Sequence, residues 1–316
     1  MTAPRSALPS VHRVALIAKP VAAVRAPLRR AFALLARAGA EIRLDAEAAQ
    51  LLGRRGGLSR EDAVRGADLV VCLGGDGTLL SAVRAIAGAP IPVLGVNAGS
   101  LGFLTETRRE ELPAMLRAAL AGRLRAQPRL LLEVTVRRGR RALATYRCLN
   151  DLVITKGALA RIITLAATVD GEPLTTYRAD GLIIATPTGS TAYNLAVGGP
   201  LVDPASESLL IAPIAPHALS HRPLVLPASA ILRILLLRAP GGLAHAPRGA
   251  GRGGKHDTVY LTADGQAGRP LLPGDSVEIR RASGALLLLT PPRRTWVRLL
   301  REKLHWGEPP AIRQAR

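Results

Sequence analysis

Aromatic residues are scarce in this chain of 316 residues: two Trp, four Tyr and two Phe, 3% of the total. Surfaces that read single-stranded nucleic acid stack bases on aromatic rings, and so few rings leave little for such a platform. Cysteine is nearly absent. Cys72 and Cys148 each lie inside an apolar, strand-like run, which excludes a disulfide framework and reads as two buried free thiols. No uncharged apolar run reaches the length of a membrane-spanning helix, because Arg, Gly or Pro interrupts each one. The first ten residues contain Arg5 and two prolines, and no apolar signal segment follows them. These features lead to an expectation of a cytoplasmic protein without a membrane partner.

Lysine is also rare. Lys19, Lys156, Lys255 and Lys303 are the only four, yet Lys and Arg together number 43 and the formal net charge is +20. Such an excess can signal a nucleic-acid partner. Here the arginines are scattered, in short pairs such as Arg29-Arg30, Arg54-Arg55 and Arg137-Arg138. A solvated surface in an Arg- and Ala-rich chain accounts for them, and no specific nucleic acid is expected. The charge can still draw anionic substrates over distance, an effect that salt weakens.

What is present is enough apolar material, 48% of residues, for real cores. Up to about residue 127 the pattern alternates short apolar strands with amphipathic helices: strands at Arg13–Ala18, Glu41–Leu44, Asp68–Leu73 and Ile91–Val96, and helices near Val24–Ala38, Ala46–Leu52, Thr78–Ala87 and Arg109–Ala121. That alternation predicts a parallel sheet covered on both faces. After Gln127-Pro128 the pattern changes to short strands and turns, including hairpins around Arg138–Arg140 and Asp170-Gly171. Ser276–Arg281 and Ala285–Thr290 read as two further strands. The expected architecture is an α/β N-terminal domain (1–127) with a parallel sheet and an all-β, two-sheet C-terminal domain (128–290). A C-terminal segment (291–316) carries a helix that packs back on the first domain. Gly241–Gly254, rich in Gly, Arg, Ala and Pro, reads as a surface excursion.

Three clusters could carry chemistry. The first is Leu73-Gly74-Gly75-Asp76-Gly77-Thr78, which leaves an apolar strand and enters a helix. Glycines let backbone N–H groups approach a ligand closely, and a helix start adds free donors and a positive dipole end. The setting suits a polyphosphate. The Lys-Ser/Thr ending of a Walker loop is missing. A carboxylate beside bound phosphates can accept a proton from an attacking hydroxyl or touch a Mg²⁺ that bridges the phosphates. The second cluster is Thr186–Asn194, with four hydroxyls, a glycine and a tyrosine; its plainer reading is a loop with Ser190 capping a short helix. Just upstream, Arg178 and Asp180 offer a cation and a carboxylate at one strand entrance, plainly read as an ion pair or turn. The third is Asn150-Asp151 at the head of a strand. An amide beside a carboxylate can read a base edge and accept hydrogen bonds from a ribose diol, although such a pair alone is usually a turn.

Together these clusters resemble the NAD kinase family over nearly the whole chain. The most specific segments are Leu73–Leu80 and Thr186–Pro200, supported by Asn150-Asp151, Ala179-Asp180-Gly181, Pro216-His217 and Gln266. The resemblance implies phosphorylation of the 2′-hydroxyl of the adenosine ribose of NAD, with ATP or polyphosphate as donor and a divalent metal, Mg²⁺, held mainly by donor phosphates with Asp76 as its candidate protein ligand. It implies Asp76 as proton acceptor, Gly77 against the substrate, and Gly74, Gly75 and Thr78 at the donor phosphates. Asn150 and Asp151 would hold the adenosine, and Asp180 and Arg178 would lie at the nicotinamide end. Thr191, Ala192, Tyr193, Asn194, Leu195 and Ala196 would line the pocket, Gln266 would close it, and Arg161 stands where members carry a basic residue or His. Asp151 replaces a frequent Glu and Ala196 a frequent Ser. The resemblance further implies a homodimer or homotetramer. The Gly-Gly-Asp-Gly-Thr turn is shared with diacylglycerol- and sphingosine-type lipid kinases, the alternative reading.

Overall fold

A computed structural model describes residues 11–99, 102–157, 162–238, 258–292 and 294–304. The chain divides into two compact units. The first comprises Met1–Ala82, Ile91–Gln127 and Leu288–Arg316; the second comprises Val83–Pro90 and Pro128–Leu287.

In the first unit β1 (Arg13–Ala18), α1 (Ala22–Arg37), β2 (Glu41–Leu44), α2 (Ala46–Leu52), α3 (Arg60–Val64), β3 (Leu69–Gly74), α4 (Asp76–Ile86) and β4 (Pro92–Asn97) succeed one another. A two-residue strand β5 (Thr107–Arg108) and α5 (Leu112–Leu120) follow. Neighbouring strands run parallel in the order β2-β1-β3-β4-β5. β3 and β4 are buried along their whole length, as continuous apolar runs inside a covered parallel sheet must be. Leu16, Leu28, Leu35, Leu94 and Leu116 are fully buried in the core. Each such side chain contributes roughly 1.5–3 kcal/mol by leaving water. α3, a five-residue helix capped by the Ser59 side chain on Asp62 N–H, has no counterpart in the sequence reading, because one turn and a half carries too little periodicity. α4 begins at Asp76, two residues earlier than the apolar spacing indicates, which places Asp76 inside the first turn.

The second unit contains two packed sheets. One holds β9 (Ile163–Val169), β10 (Glu172–Ala179), β14 (Leu232–Arg238) and β17 (Asp275–Thr290), with β6 (Arg125–Arg138) paired to β17 and to β7 (Arg141–Cys148). The other has the order β13-β12-β11-β8-β15-β16. Its strands are β8 (Asp151–Lys156), β11 (Gly181–Ala185), β12 (Ser208–Ile214), β13 (Leu224–Pro227), β15 (Val259–Ala263) and β16 (Ala267–Leu271). Leu132, Leu165, Leu232 and Ile279 from the first sheet share a core with Leu152, Ile184, Ile211 and Leu261 from the second. The two strands expected at Ser276–Arg281 and Ala285–Thr290 are one: β17 runs through Gly284, whose φ of +88° lets the chain kink without ending. β13 and β16 were not foreseen. The hairpin at Asp170-Gly171 turns with φ of 51° and 90°, as a two-residue turn of that composition should.

α6 (Tyr193–Ala196) is a single turn, and α7 (Trp296–Leu304) belongs to the first unit, where Trp296 packs on Phe103 at 6.1 Å between ring centroids. Among the described residues no helix is long and apolar enough to cross a membrane. Gly241–Gly254, Arg161 and residues 305–316 lie outside the described residues.

Candidate functional site

Asp76 is the most heavily bonded side chain of the glycine-rich turn. Its Oδ1 accepts from Thr105 N–H at 2.9 Å, Thr105 Oγ1 at 2.8 Å and Leu104 N–H at 3.2 Å, whereas among the described residues Oδ2 accepts from Phe103 N–H alone, at 2.8 Å. Three successive amides of the segment after β4 therefore fix the carboxylate's orientation and leave Oδ2 with spare acceptor capacity. Thr105 is itself held by Asn97 Nδ2 at 3.0 Å, and Asn97 Oδ1 accepts from Gly99 N–H at 2.6 Å. Thr105 and Asn97 are buried, so this relay is shielded from water. Beside it lies a pocket of about 450 Å³ lined by Asn97, Ala98, Gly99, Arg108, Arg109 and Glu110.

The three glycines of the turn do different work. A Cβ on Gly74 would lie 2.9 Å from Thr78 Cβ and closer still to its hydroxyl, so internal packing already requires glycine there. Gly75 has open space beside it. Thr78 is buried, and its N–H bonds Gly75 carbonyl at 2.9 Å. Gly77 follows Asp76 within the first turn of α4. Sequence reasoning missed Thr105, whose hydroxyl is separated from Asp76 by 29 positions.

In the second unit the Leu149–Asp151 turn is the hub. Thr186 Oγ1 donates to Leu149 carbonyl at 2.5 Å and accepts from Gly189 N–H at 3.0 Å, and Thr186 N–H donates to Asn150 carbonyl at 2.9 Å. A Cβ on Gly189 would collide with the Asn150 peptide. The two motifs found separately in the sequence are thus one packed structure. Replacing Thr186 by Val removes a buried hydroxyl that serves both a donor and an acceptor. The expected cost is about 2–4 kcal/mol, read as a lower denaturation midpoint with an unchanged denaturant slope.

Asp151 is buried, and its carboxyl is pushed up to about 7, first by loss of water and then by the charge of Asp264; the Tyr193 backbone N–H pulls it down. Asp264, absent from the sequence reading, accepts from the Leu149, Asn150 and Asp151 amides. Gln266 is exposed and accepts from Arg84 Nη1 at 3.1 Å.

The Thr186–Asn194 segment forms a short 3-10 turn over Thr188–Thr191 followed by α6. Ser190 is not the helix cap expected from sequence. It sits inside the 3-10 turn and exchanges hydrogen bonds of 3.1 Å with both the carbonyl and the amide of Val202. Asn194 is fully buried and donates to Pro200 carbonyl at 3.1 Å, which makes it a clamp on the Gly198–Pro200 turn. Thr191 hydroxyl bonds back to Thr188 carbonyl at 3.3 Å. Tyr193 is 45% exposed; Ala192 and Leu195 are half-buried and Ala196 exposed. Asp180 pairs with Lys156 at 2.8 Å, so the cation at this strand entrance comes from β8 and not from the adjacent Arg178. Arg178 is exposed, and its carbonyl accepts from His217 N–H at 2.9 Å.

The family models that match this chain fall in both units. The pattern of the ATP-NAD kinase N-terminal domain matches residues 46–124, and that of the ATP-NAD kinase C-terminal domain matches residues 149–250. The chain belongs to the NAD kinase family. It is 47% identical over 265 residues to an NAD kinase of Geobacter metallireducens, covering 84% of this chain and 88% of that one. It is 41% identical to one of Solibacter usitatus, covering 95% and 100%. Among solved structures, the yeast NADH kinase complexed with NADH superposes with a TM-score of 0.83 at 26% identity, over 98% of this chain and 91% of that one. An NAD kinase from Archaeoglobus fulgidus shares the fold, with a TM-score of 0.67 at 24% identity over 88% and 93%. The lipid-kinase alternative finds no support: family membership extends through the second unit, well beyond the shared Gly-Gly-Asp-Gly-Thr turn.

Proposed function

We propose that this chain transfers the γ-phosphoryl group of ATP to the 2′-hydroxyl of the adenosine ribose of NAD, giving NADP and ADP. The observation that carries the reading is the fixed carboxylate of Asp76 at the head of α4, with one oxygen filled and the other open to a further hydrogen. As the bond from the 2′-oxygen to phosphorus forms and the bond to the β–γ bridging oxygen breaks, the hydroxyl proton passes to Asp76 Oδ2. Transfer of this kind has a loose transition state, so placement and charge neutralisation carry the catalysis. Gly75 and the start of α4 receive the donor phosphates, and Arg108 and Arg109 add positive charge at the adjoining pocket. In the second unit Asn150 and Asp151 hold the adenosine. Tyr193 and its neighbours from Thr191 to Ala196 form a wall, with Asp180, Lys156 and Arg178 toward the nicotinamide end and Gln266 at the margin.

The donor's divalent cation, Mg²⁺, neutralises charge on the phosphates when bound. Among the described residues no group of three or more His, Cys, Asp or Glu could hold a metal, and Asp76 has capacity for a single added contact. The residues fit an ion carried in by the nucleotide and held by its phosphates, with the single open position on Asp76 kept for the hydroxyl proton. We place the enzyme in the cytoplasm as a homo-oligomer, in keeping with the resemblance.

Incubating purified protein with ATP, Mg²⁺ and NAD should yield NADP, with parallel arms supplying polyphosphate as donor and NADH as acceptor. Absence of product above background in every arm refutes the assignment. Gly75→Ala separates ligand approach from folding. Open space beside Gly75 accepts a methyl group, so the melting temperature should stay within about 2 °C, while KM for ATP rises about tenfold because phosphate oxygens can no longer reach the backbone. An unchanged KM contradicts the donor role of this loop.

A further inference from the structure

Asp264 has no place in the sequence reading, yet its carboxylate accepts from three consecutive amides more than 110 positions away. Leu149 N–H donates to its Oδ2 at 2.9 Å, and Asn150 and Asp151 N–H donate to its Oδ1 at 2.7 and 3.1 Å. Its own N–H returns a bond of 2.9 Å to Asp151 carbonyl. The turn it occupies joins β15 to β16, and β15 pairs with β8 in a register that sets Ala263 opposite Leu152. Asp264 has φ of 50° and Gly265 φ of 63°, a left-handed pair that Asp tolerates better than most residues. The backbone conformation thus aims the carboxylate at three consecutive amides. Thr186 holds the carbonyls of Leu149 and Asn150, and Asp264 holds the amides, so the turn is gripped through both its donors and its acceptors.

We propose that Asp264 is the positioning residue of the acceptor site, the group that fixes the direction in which Asn150 and Asp151 present their side chains to the adenosine ribose. This rests on the reading of Asn150 and Asp151 given above. An amide cannot replace it. Asn offers one acceptor oxygen, and its NH₂ would face an N–H donor.

Two further groups make the role measurable. Arg84 lies close enough to Asp264 to favour its ionised form, and the same guanidinium bonds Gln266 in the same turn. Burial is the larger influence and pushes the Asp264 carboxyl up from its ordinary range, with the three amides and Arg84 opposing it. The groups facing Asp151 are Asp264 itself, the Tyr193 backbone N–H and the Cys148 thiol, which burial keeps protonated. Because Asp264 is one of the two causes that raise the Asp151 carboxyl, removing its charge must lower the pH at which Asp151 ionises. An ionised Asp151 accepts from a ribose diol, so NAD affinity falls as pH drops through about 7 in the native protein, and in the variant the fall must come at lower pH.

The test compares the full chain with Asp264→Asn and Asp264→Ala, using NAD affinity by titration calorimetry from pH 5.5 to 8.5 beside steady-state kinetics. Both variants should weaken NAD about tenfold at pH 8 and leave KM for ATP within about twofold. The inflection in NAD affinity should move to lower pH. Hydrogen exchange supplies a readout independent of turnover: the Leu149, Asn150 and Asp151 amides should exchange at least about tenfold faster in Asp264→Ala. Native NAD affinity with an unmoved inflection, equal losses for NAD and ATP, or unchanged exchange at those amides would overturn the role of Asp264. Failure of the native protein to form NADP or bind NAD would instead overturn the reading of the site itself.

Discussion

Asp76→Asn should lower kcat at least about 100-fold while the protein remains folded and binds NAD within a fewfold of the native affinity. The asymmetry of the carboxylate's contacts explains why the loss should fall on kcat. The amide oxygen of Asn can take the place of Oδ1 and keep its three donors, Thr105 N–H, Thr105 Oγ1 and Leu104 N–H. The NH₂ then occupies the Oδ2 position, where it faces Phe103 N–H and can accept no proton. One hydrogen bond is lost, at a cost of about 1–3 kcal/mol, which for a chain of this size is a fall of a few degrees in Tm. The loop should therefore persist while the base is gone. A variant with near-native kcat would refute the role of Asp76 as proton acceptor, and one that fails to fold would show the clamp to be structural first.

Gly102→Ala should cost nearly as much by another route. A Cβ at Gly102 would overlap Asp76 Oδ1 and Thr105 Oγ1 and would lie 2.6 Å from Asp76 Cγ. The neighbours are a short, fully bonded carboxylate and a buried hydroxyl, neither of which can swing aside as a long flexible chain could. Either the segment carrying the Phe103–Thr105 amides or the Asp76 side chain must move by about 1 Å, a displacement that lowers turnover about 100-fold when reacting groups are otherwise aligned. Stability should fall by about 1–3 kcal/mol. The comparison is Gly99→Ala, four residues from the clamp, where a Cβ meets its nearest neighbour at 4.0 Å and leaves the carboxylate's contacts in place, so the loss should be at least about tenfold smaller than at Gly102. Equal activity in the two variants would mean that the 102–105 segment does not set the carboxylate.

The first unit was readable because its signals are local. The β3–turn–α4 sequence carries its apolar run, its glycines and its helix period within twenty residues, and β1, β2 and β4 repeat the same grammar. The second unit was readable as strands and hairpins, but less so in detail. β17 looked like two strands because Arg280 to Gly284 breaks the alternation, although the left-handed glycine lets the strand kink and continue. The site itself divides along the same line. Asp76, Asn150-Asp151 and the Thr186–Asn194 run announce themselves through unusual neighbours in sequence. Their partners do not. Asp264 meets Leu149 across 115 positions, and Lys156 meets Asp180 from a different strand; each looks ordinary where it stands in the chain. A contact that exists only after folding leaves no period or spacing to read. Asn194 shows the opposite limit: it sits within the most specific motif, yet its buried amide serves the Gly198–Pro200 turn.

The most direct measurement is a crystal structure of the native chain with NAD and a non-hydrolysable ATP analogue. The predicted result is the adenosine 2′-oxygen about 2.6–3.2 Å from Asp76 Oδ2, in line with the γ-phosphorus, while Oδ1 keeps its bonds to Leu104 and Thr105. A 2′-oxygen out of reach of Asp76, bonded instead to another acceptor, would contradict the assignment of this carboxylate as the base.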